Sequence, residues 1–162
     1  MGRAAAMSHP ISGARSLGGH VPPRPAPKAT ARRAARLLLV DDLSYVRDAL
    51  AELLRGAGYE VVAVGSGPAA LAELDRQGAD LLLTDLYMPE MTGWDLVRAV
   101  RSRHATSTRG LPLCVGLYSA VLSGFSREQL SRAQVDFAVT KLSDPDAILE
   151  AVERALAWSE VE

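Results

Sequence analysis

The sequence predicts an α/β fold: a five-stranded doubly wound parallel sheet with helices on both faces, (βα)5 in connectivity. Two observations carry this expectation. From Arg36 onward, short aliphatic runs alternate with amphipathic stretches of about 11–14 residues, the pattern of βα units whose strands are buried on both faces. In addition, the residues that follow the aliphatic runs are polar and chemically matched, and the crevice beyond the carboxyl ends of the strands is where an open parallel sheet gathers its functional groups. A length of 162 residues supports one ordinary domain. The chain divides into a tail over residues 1–35 and a folded domain over residues 36–160.

The first strand is Arg36 to Val40, RLLLV. Ser44, as N-cap, opens a helix that runs to Arg55 and stops at Gly56-Ala57-Gly58. The second strand is Tyr59 to Val64, after which Gly65 to Gly67 turns into a helix that Pro68 opens and Gly78 ends. Leu81 to Thr84 forms a third strand with no polar face. The loop Asp85 to Thr92 precedes a helix from Gly93 to about Arg103, and the polar stretch HATSTRG leads to the fourth strand, Leu113 to Tyr118. Ser126 with Gln129 makes a capping box for the fourth helix, Val135 to Val139 is the fifth strand, and Asp144-Pro145 opens a last helix ending near Trp158. Residues 1–30 are different in kind. The run VPPRPAPKAT places proline too densely for helix or sheet, so this segment is expected to be disordered.

Apolar residues make up 48% of the chain and charged residues 23%, which excludes fibrous, disordered and disulfide-stapled classes. One cysteine, Cys114, can neither close an intrachain disulfide nor build a thiolate metal site, so the expected address is the reducing cytoplasm. No apolar run approaches the roughly 18 residues of a membrane span, and the N-terminus lacks the apolar stretch of a signal peptide. The net charge of −1 conceals an asymmetry: seven of the 18 basic residues and none of the 19 acidic ones fall in residues 1–36. A basic tail thus precedes an acidic domain.

The strand ends form a coherent set. The first strand runs into Asp41-Asp42, the third into Asp85, the fourth into Ser119-Ala120 and the fifth into Thr140-Lys141. Three ionised carboxylates brought together repel, at a cost of about 4 kcal/mol for each pair about 4 Å apart at an effective dielectric of about 20. A cation is needed among them. Carboxylates with a carbonyl and water are hard oxygen ligands suited to Mg²⁺. An Asp beside Mg²⁺ and a Lys has the parts to attack a phosphoryl group and form an acyl phosphate.

The motifs LLLVDD at Leu37 to Asp42, LLLTDLYMPEMTGWDL at Leu81 to Leu96, YSA at Tyr118 to Ala120 and TK at Thr140-Lys141 together resemble a stand-alone two-component response regulator receiver domain, of flavodoxin-like fold. The D-x-x-M-P-x-M-x-G stretch from Asp85 to Gly93 is the most specific of them. The resemblance covers about three quarters of the chain. It implies that Asp85 is the phosphoacceptor, that Asp41, Asp42, Asp85 and the backbone carbonyl of Tyr87 hold Mg²⁺, that Ser119 is the switch hydroxyl, and that Lys141 pairs with the phosphoryl group. It further implies a sensor histidine kinase or phosphotransfer protein as donor, a downstream protein as receiver of the signal, and room for a homodimer on phosphorylation. Such a domain is not an enzyme beyond catalysing its own phosphorylation and dephosphorylation.

The chain departs from the family pattern in places. Leu142 follows Lys141 where proline is usual, which bears on the geometry of that loop. Ala138 stands where an aromatic rotamer switch is frequent, with Phe137 one place earlier and so on the opposite strand face. Pro112 lies two residues farther from Ser119 than usual, and Tyr118 is a bulky neighbour for the switch hydroxyl. Other functions remain weaker readings. An Asp-nucleophile phosphatase would want an Asp two residues after the nucleophile, where this chain has Tyr87. Binding of nucleic acid through the basic tail competes with the plainer view of a solvated leader. A phosphorylation-independent pseudo-receiver would not need all of the acceptor-site residue types, yet all are present. Cys114 reads as a core thiol, and His9, His20 and His104 have no ligand spacing.

Overall fold

A computed structural model describes residues 34–159, so the expected disorder of residues 1–30 and the predicted end of the domain at residue 160 lie outside the described residues. Ten elements follow in strict alternation: β1 (Arg36–Val40), α1 (Ser44–Gly56), β2 (Glu60–Val64), α2 (Gly67–Gln77), β3 (Leu81–Thr84), α3 (Gly93–Ser102), β4 (Cys114–Ser119), α4 (Arg127–Arg132), β5 (Phe137–Thr140) and α5 (Pro145–Trp158). The strands form one sheet in the order β2-β1-β3-β4-β5, and every pairing is parallel. This is the predicted five-stranded doubly wound sheet.

The sheet is buried because aliphatic residues occupy both of its faces. Leu37, Leu39, Leu81, Leu83, Tyr118 and Val139 pack with Leu50 and Leu54 of α1 and Ile148 and Val152 of α5. Leu38, Val40, Leu82, Val115 and Leu117 pack on the other face with Ala70 of α2 and Leu96, Val97 and Val100 of α3, and Leu130 of α4 borders that cluster. Strand alternation divides Phe137 from Ala138 in the same way: Phe137 joins the α1/α5 side and Ala138 the α2/α3/α4 side. The Phe137 ring lies so close to Gly116 that a Cβ there would come within 2.3 Å of it, which explains a glycine in the middle of a buried strand.

Four expectations need correction. Ser44 is the first residue of α1 and not its cap; the capping position is held by Leu43, with no side-chain cap, and the turn is formed by Asp41 Oδ1 accepting the Leu43 N–H at 2.9 Å. Tyr59 precedes β2, because its N–H closes α1 on the Leu54 carbonyl. β4 begins and ends one residue later than expected. Leu113 is buried, but its N–H goes to Ala105 O across a loop closed by the Thr106–Pro112 bridge. Val135 likewise finishes α4 with an N–H donated to Leu130 O, so β5 starts at Phe137 and extends to Thr140. The other helix signals hold: Ser66 caps α2, Ser126 and Gln129 form the capping box of α4, and Asp144 accepts the Ala147 N–H at the start of α5.

Candidate functional site

The carboxyl ends of β1, β3, β4 and β5 deliver Asp41, Asp85, Ser119 and Lys141 to one crevice. Asp41 and Asp85 extend the ladder by one residue, with their N–H groups bonded to Val64 O at 3.2 Å and Val40 O at 2.8 Å. Carboxylate oxygens of Asp41, Asp42 and Asp85 lie within 4.8 Å of one another. Asp41 and Asp85 are buried and Asp42 half-buried. Lys141 Nζ sits 2.5 Å from Asp41 Oδ2 and 3.3 Å from Asp85 Oδ2, so residues 100 positions apart meet in one ion pair. The expected clustering of the three carboxylates with the lysine is therefore present.

The loop after Asp85 shows why its motif has the residues it has. Met88 is buried against the α2/α3/α4 face and anchors the loop. Met91 lies across Gly67, where a Cβ would come within 2.4 Å of its Sδ. Gly93 presses on the backbone of the acceptor residue: a Cβ there would lie 2.3 Å from the Asp85 carbonyl oxygen and 2.9 Å from Leu86 Cα. The close approach lets Gly93 N–H reach Leu86 O at 2.8 Å, and Thr92 with Asp95 forms the capping box that starts α3. Thr84 Oγ1 donates to Asp85 O from the strand side. Tyr87, two residues after Asp85, has an exposed side chain.

Burial pushes the Asp85 carboxyl above its ordinary value, and the nearby Asp41 charge adds to this. The Leu86 N–H, at 2.8 Å from Asp85 Oδ1, and the Lys141 charge act against the rise without cancelling it. Burial pulls the Lys141 ammonium down, but its bonds and charge interactions with Asp41 and Asp85 prevail and leave it above its ordinary value. Ser119 is buried at the end of β4, where its Oγ accepts the Val121 N–H at 3.4 Å, and its carbonyl accepts the Lys141 N–H at 3.1 Å. The sequence reading missed Arg47. Its guanidinium donates to the Asp41 carbonyl at 2.7 Å and brings a second cation to the crevice; the one sequence signal was its place one turn into α1. The site fits a hard cation, since its donors are carboxylate oxygens with no soft ligand among them. A groove of about 550 Å³ lined by Leu113, Cys114, Phe137, Ala155 and Trp158 opens at the far ends of β4 and β5, away from these groups. Burial pushes the Cys114 thiol up to about 12, as befits a core cysteine.

Comparison with known proteins agrees with this geometry. Sensory transduction protein RegX3 of Mycolicibacterium smegmatis is 48% identical over 67 residues, 41% of this chain and 29% of its own length. The chain thus spans less than a third of that relative. Chemotaxis response regulator CheY4 of Vibrio cholerae superimposes with a TM-score of 0.66 at 26% identity, covering 76% of this chain and 99% of CheY4. The receiver domain of sensor histidine kinase PA1611 from Pseudomonas aeruginosa, solved with a magnesium ion coordinated in its active site cleft, shares the fold at a TM-score of 0.66 and 22% identity, over 77% of this chain and 99% of that one. Among the described residues no helix is long and apolar enough to cross a membrane. The response regulator receiver domain family matches residues 37–153, from the second residue of β1 into α5. All five βα units lie within or overlap that match, and the chain belongs to this family of signalling modules.

Proposed function

We propose that Asp85 accepts a phosphoryl group from a phosphohistidine of a sensor histidine kinase or phosphotransfer protein, and that the phosphorylated domain then binds a downstream partner in the cytoplasm. One observation carries this reading: three carboxylates share a crevice in which a single lysine ammonium faces two of them. Asp41, Asp42, Asp85 and the Tyr87 carbonyl would hold Mg²⁺, which when bound offsets negative charge on the carboxylates and the phosphoryl oxygens.

The chain's own groups have separable parts. A carboxylate oxygen of Asp85 forms the new O–P bond as the P–N bond to the donor imidazole breaks and the electron pair returns to that nitrogen. The Leu86 N–H holds Oδ1 at 2.8 Å, so Oδ2, on the Lys141 side, is the oxygen freer to attack. Lys141 shifts its ammonium from Asp41 toward the phosphoryl oxygens, and the Ser119 hydroxyl donates to one of them. Leu43, Tyr87, Val121 and Leu142 on the loops around the crevice and Tyr45 in the first turn of α1 are exposed, an apolar rim suited to a protein donor. Incubation with acetyl phosphate and Mg²⁺, read by intact mass, should add one phosphoryl group to the wild type and none to Asp85→Asn. Equal labelling of both would place the acceptor elsewhere.

A further inference from the structure

Tyr118 borders the crevice and has no part in the reading above. It is buried on β4 beside Ser119, pairs in register with Val139, and belongs to the core shared with α1 and α5. The Lys141 ammonium stands over its ring, 5.5 Å from the centroid. That places the ring, Asp41 and Asp85 around one ammonium. The rest of the β5–α5 loop gives Lys141 little packing: Leu142 is 83% exposed, and the loop backbone is held by Lys141 N–H to Ser119 O and Leu142 N–H to Thr140 Oγ1.

We infer that Tyr118 is a positioning residue for Lys141, its ring face holding the ammonium in the crevice. The argument rests partly on the proposed phosphoryl acceptance. Asp41 and Asp85 both change partners when a cation or phosphoryl group arrives, whereas the ring faces no such competitor. A ring face attracts an ammonium electrostatically, and more strongly where water is excluded. The side chain that holds the lysine is thus fixed by the core and not by the groups that react. The ring also lies on the α1/α5 side of the sheet, while Ala138 leaves the α2/α3/α4 side of β5 without one. A change in Lys141 is therefore felt first on the α5 side.

The test pairs Tyr118→Phe, which keeps the ring, with Tyr118→Leu, which keeps an apolar core residue. In metal-free wild type, ring current should move the Lys141 ε-methylene protons upfield of their usual position; Phe should preserve this shift and Leu abolish it. Labelling by acetyl phosphate should stay within about two-fold for Phe and slow by about three- to ten-fold for Leu. Merely filling the core would not produce rescue by the ring alone. Unshifted ε-methylene protons in the wild type, or equal labelling of the Leu and Phe variants, overturn the inference. If the wild type takes no label, the phosphoacceptor reading fails while the resonance comparison still decides the role of Tyr118. If the Leu variant does not fold, wild-type and Phe resonances decide it.

Discussion

The two ends of the sheet bury charge in opposite ways. At the amino ends of the strands, Arg36, only 4% exposed, places its guanidinium on Glu60 and Glu73 and on the Gly78 carbonyl. Its own N–H reaches Asp80, whose other oxygen accepts from Thr108, with Arg109 3.9 Å away; Arg76 completes Glu73. Among the described residues, three cations there meet three carboxylates. At the carboxyl ends, Asp41, Asp42 and Asp85 cluster while Lys141 meets only Asp41 and Asp85, with Arg47 reaching a carbonyl. Among the described residues the first end is a closed network that ties β1 to α2, to the first residue of β2 and to the segment before β3. The second has acid in excess, and the proposed cation site rests on that excess.

Breaking the closed end should have the larger effect on stability. Arg36→Met takes a buried guanidinium away from Glu60, Glu73 and the Gly78 carbonyl, leaving Glu73 with Arg76, and should cost about 2–3 kcal/mol, read as a lowered urea midpoint with an unchanged slope. A loss below about 1 kcal/mol would mean that the network contributes little. Gly93→Ala comes next, because its Cβ would overlap the Asp85 carbonyl; we expect a loss of about 1–3 kcal/mol together with slower labelling of Asp85. A variant as stable and as readily labelled as the wild type would show that this approach does not set the acceptor loop.

Acidification sharpens the contrast. Glu73 is held below its ordinary value, first by its bond to Arg76 and also by Arg36, so its stabilising contribution is present at neutral pH and lost as pH falls through its depressed value. Asp85 is raised, so the folded state binds its proton more tightly than the unfolded chain, and its contribution becomes unfavourable as pH rises through the carboxylate range. In EDTA the melting-temperature advantage of Asp85→Asn should therefore shrink as pH is lowered from neutral toward the ordinary Asp value. An advantage that grows on acidification would reverse the assigned sign.

Much of this was legible because some features of the sequence are local. β1 and β3 match their aliphatic runs to the residue, since strands buried on both faces stand out from the polar turns around them. The ends of β4 and β5 were displaced because Leu113 and Val135 are equally apolar yet serve a loop and a helix end, a difference made by hydrogen-bond partners and not by hydropathy. Asp41, Asp42, Asp85, Ser119 and Lys141 could be found because each lies at or just beyond the carboxyl end of a strand. Arg47 and the Arg36 network could not, since the guanidinium of Arg36 meets partners 24 and 37 residues away that carry no motif. Tyr118 was visible as an unusual residue, but its relation to Lys141 emerged only when β4 and β5 were set in register.

The most direct test of the open acidic end is thermal melting of the wild type and Asp85→Asn, each in EDTA and in millimolar Mg²⁺. Removing one of three repelling charges should raise the melting temperature of the variant above that of the wild type in EDTA. Mg²⁺ should then stabilise the wild type more than the variant, because a ligand bound only by the folded state adds RT ln(1 + [L]/Kd). A variant less stable than the wild type in EDTA by more than about 1 kcal/mol, or one stabilised by Mg²⁺ as strongly as the wild type, would contradict a cation site completed by Asp85.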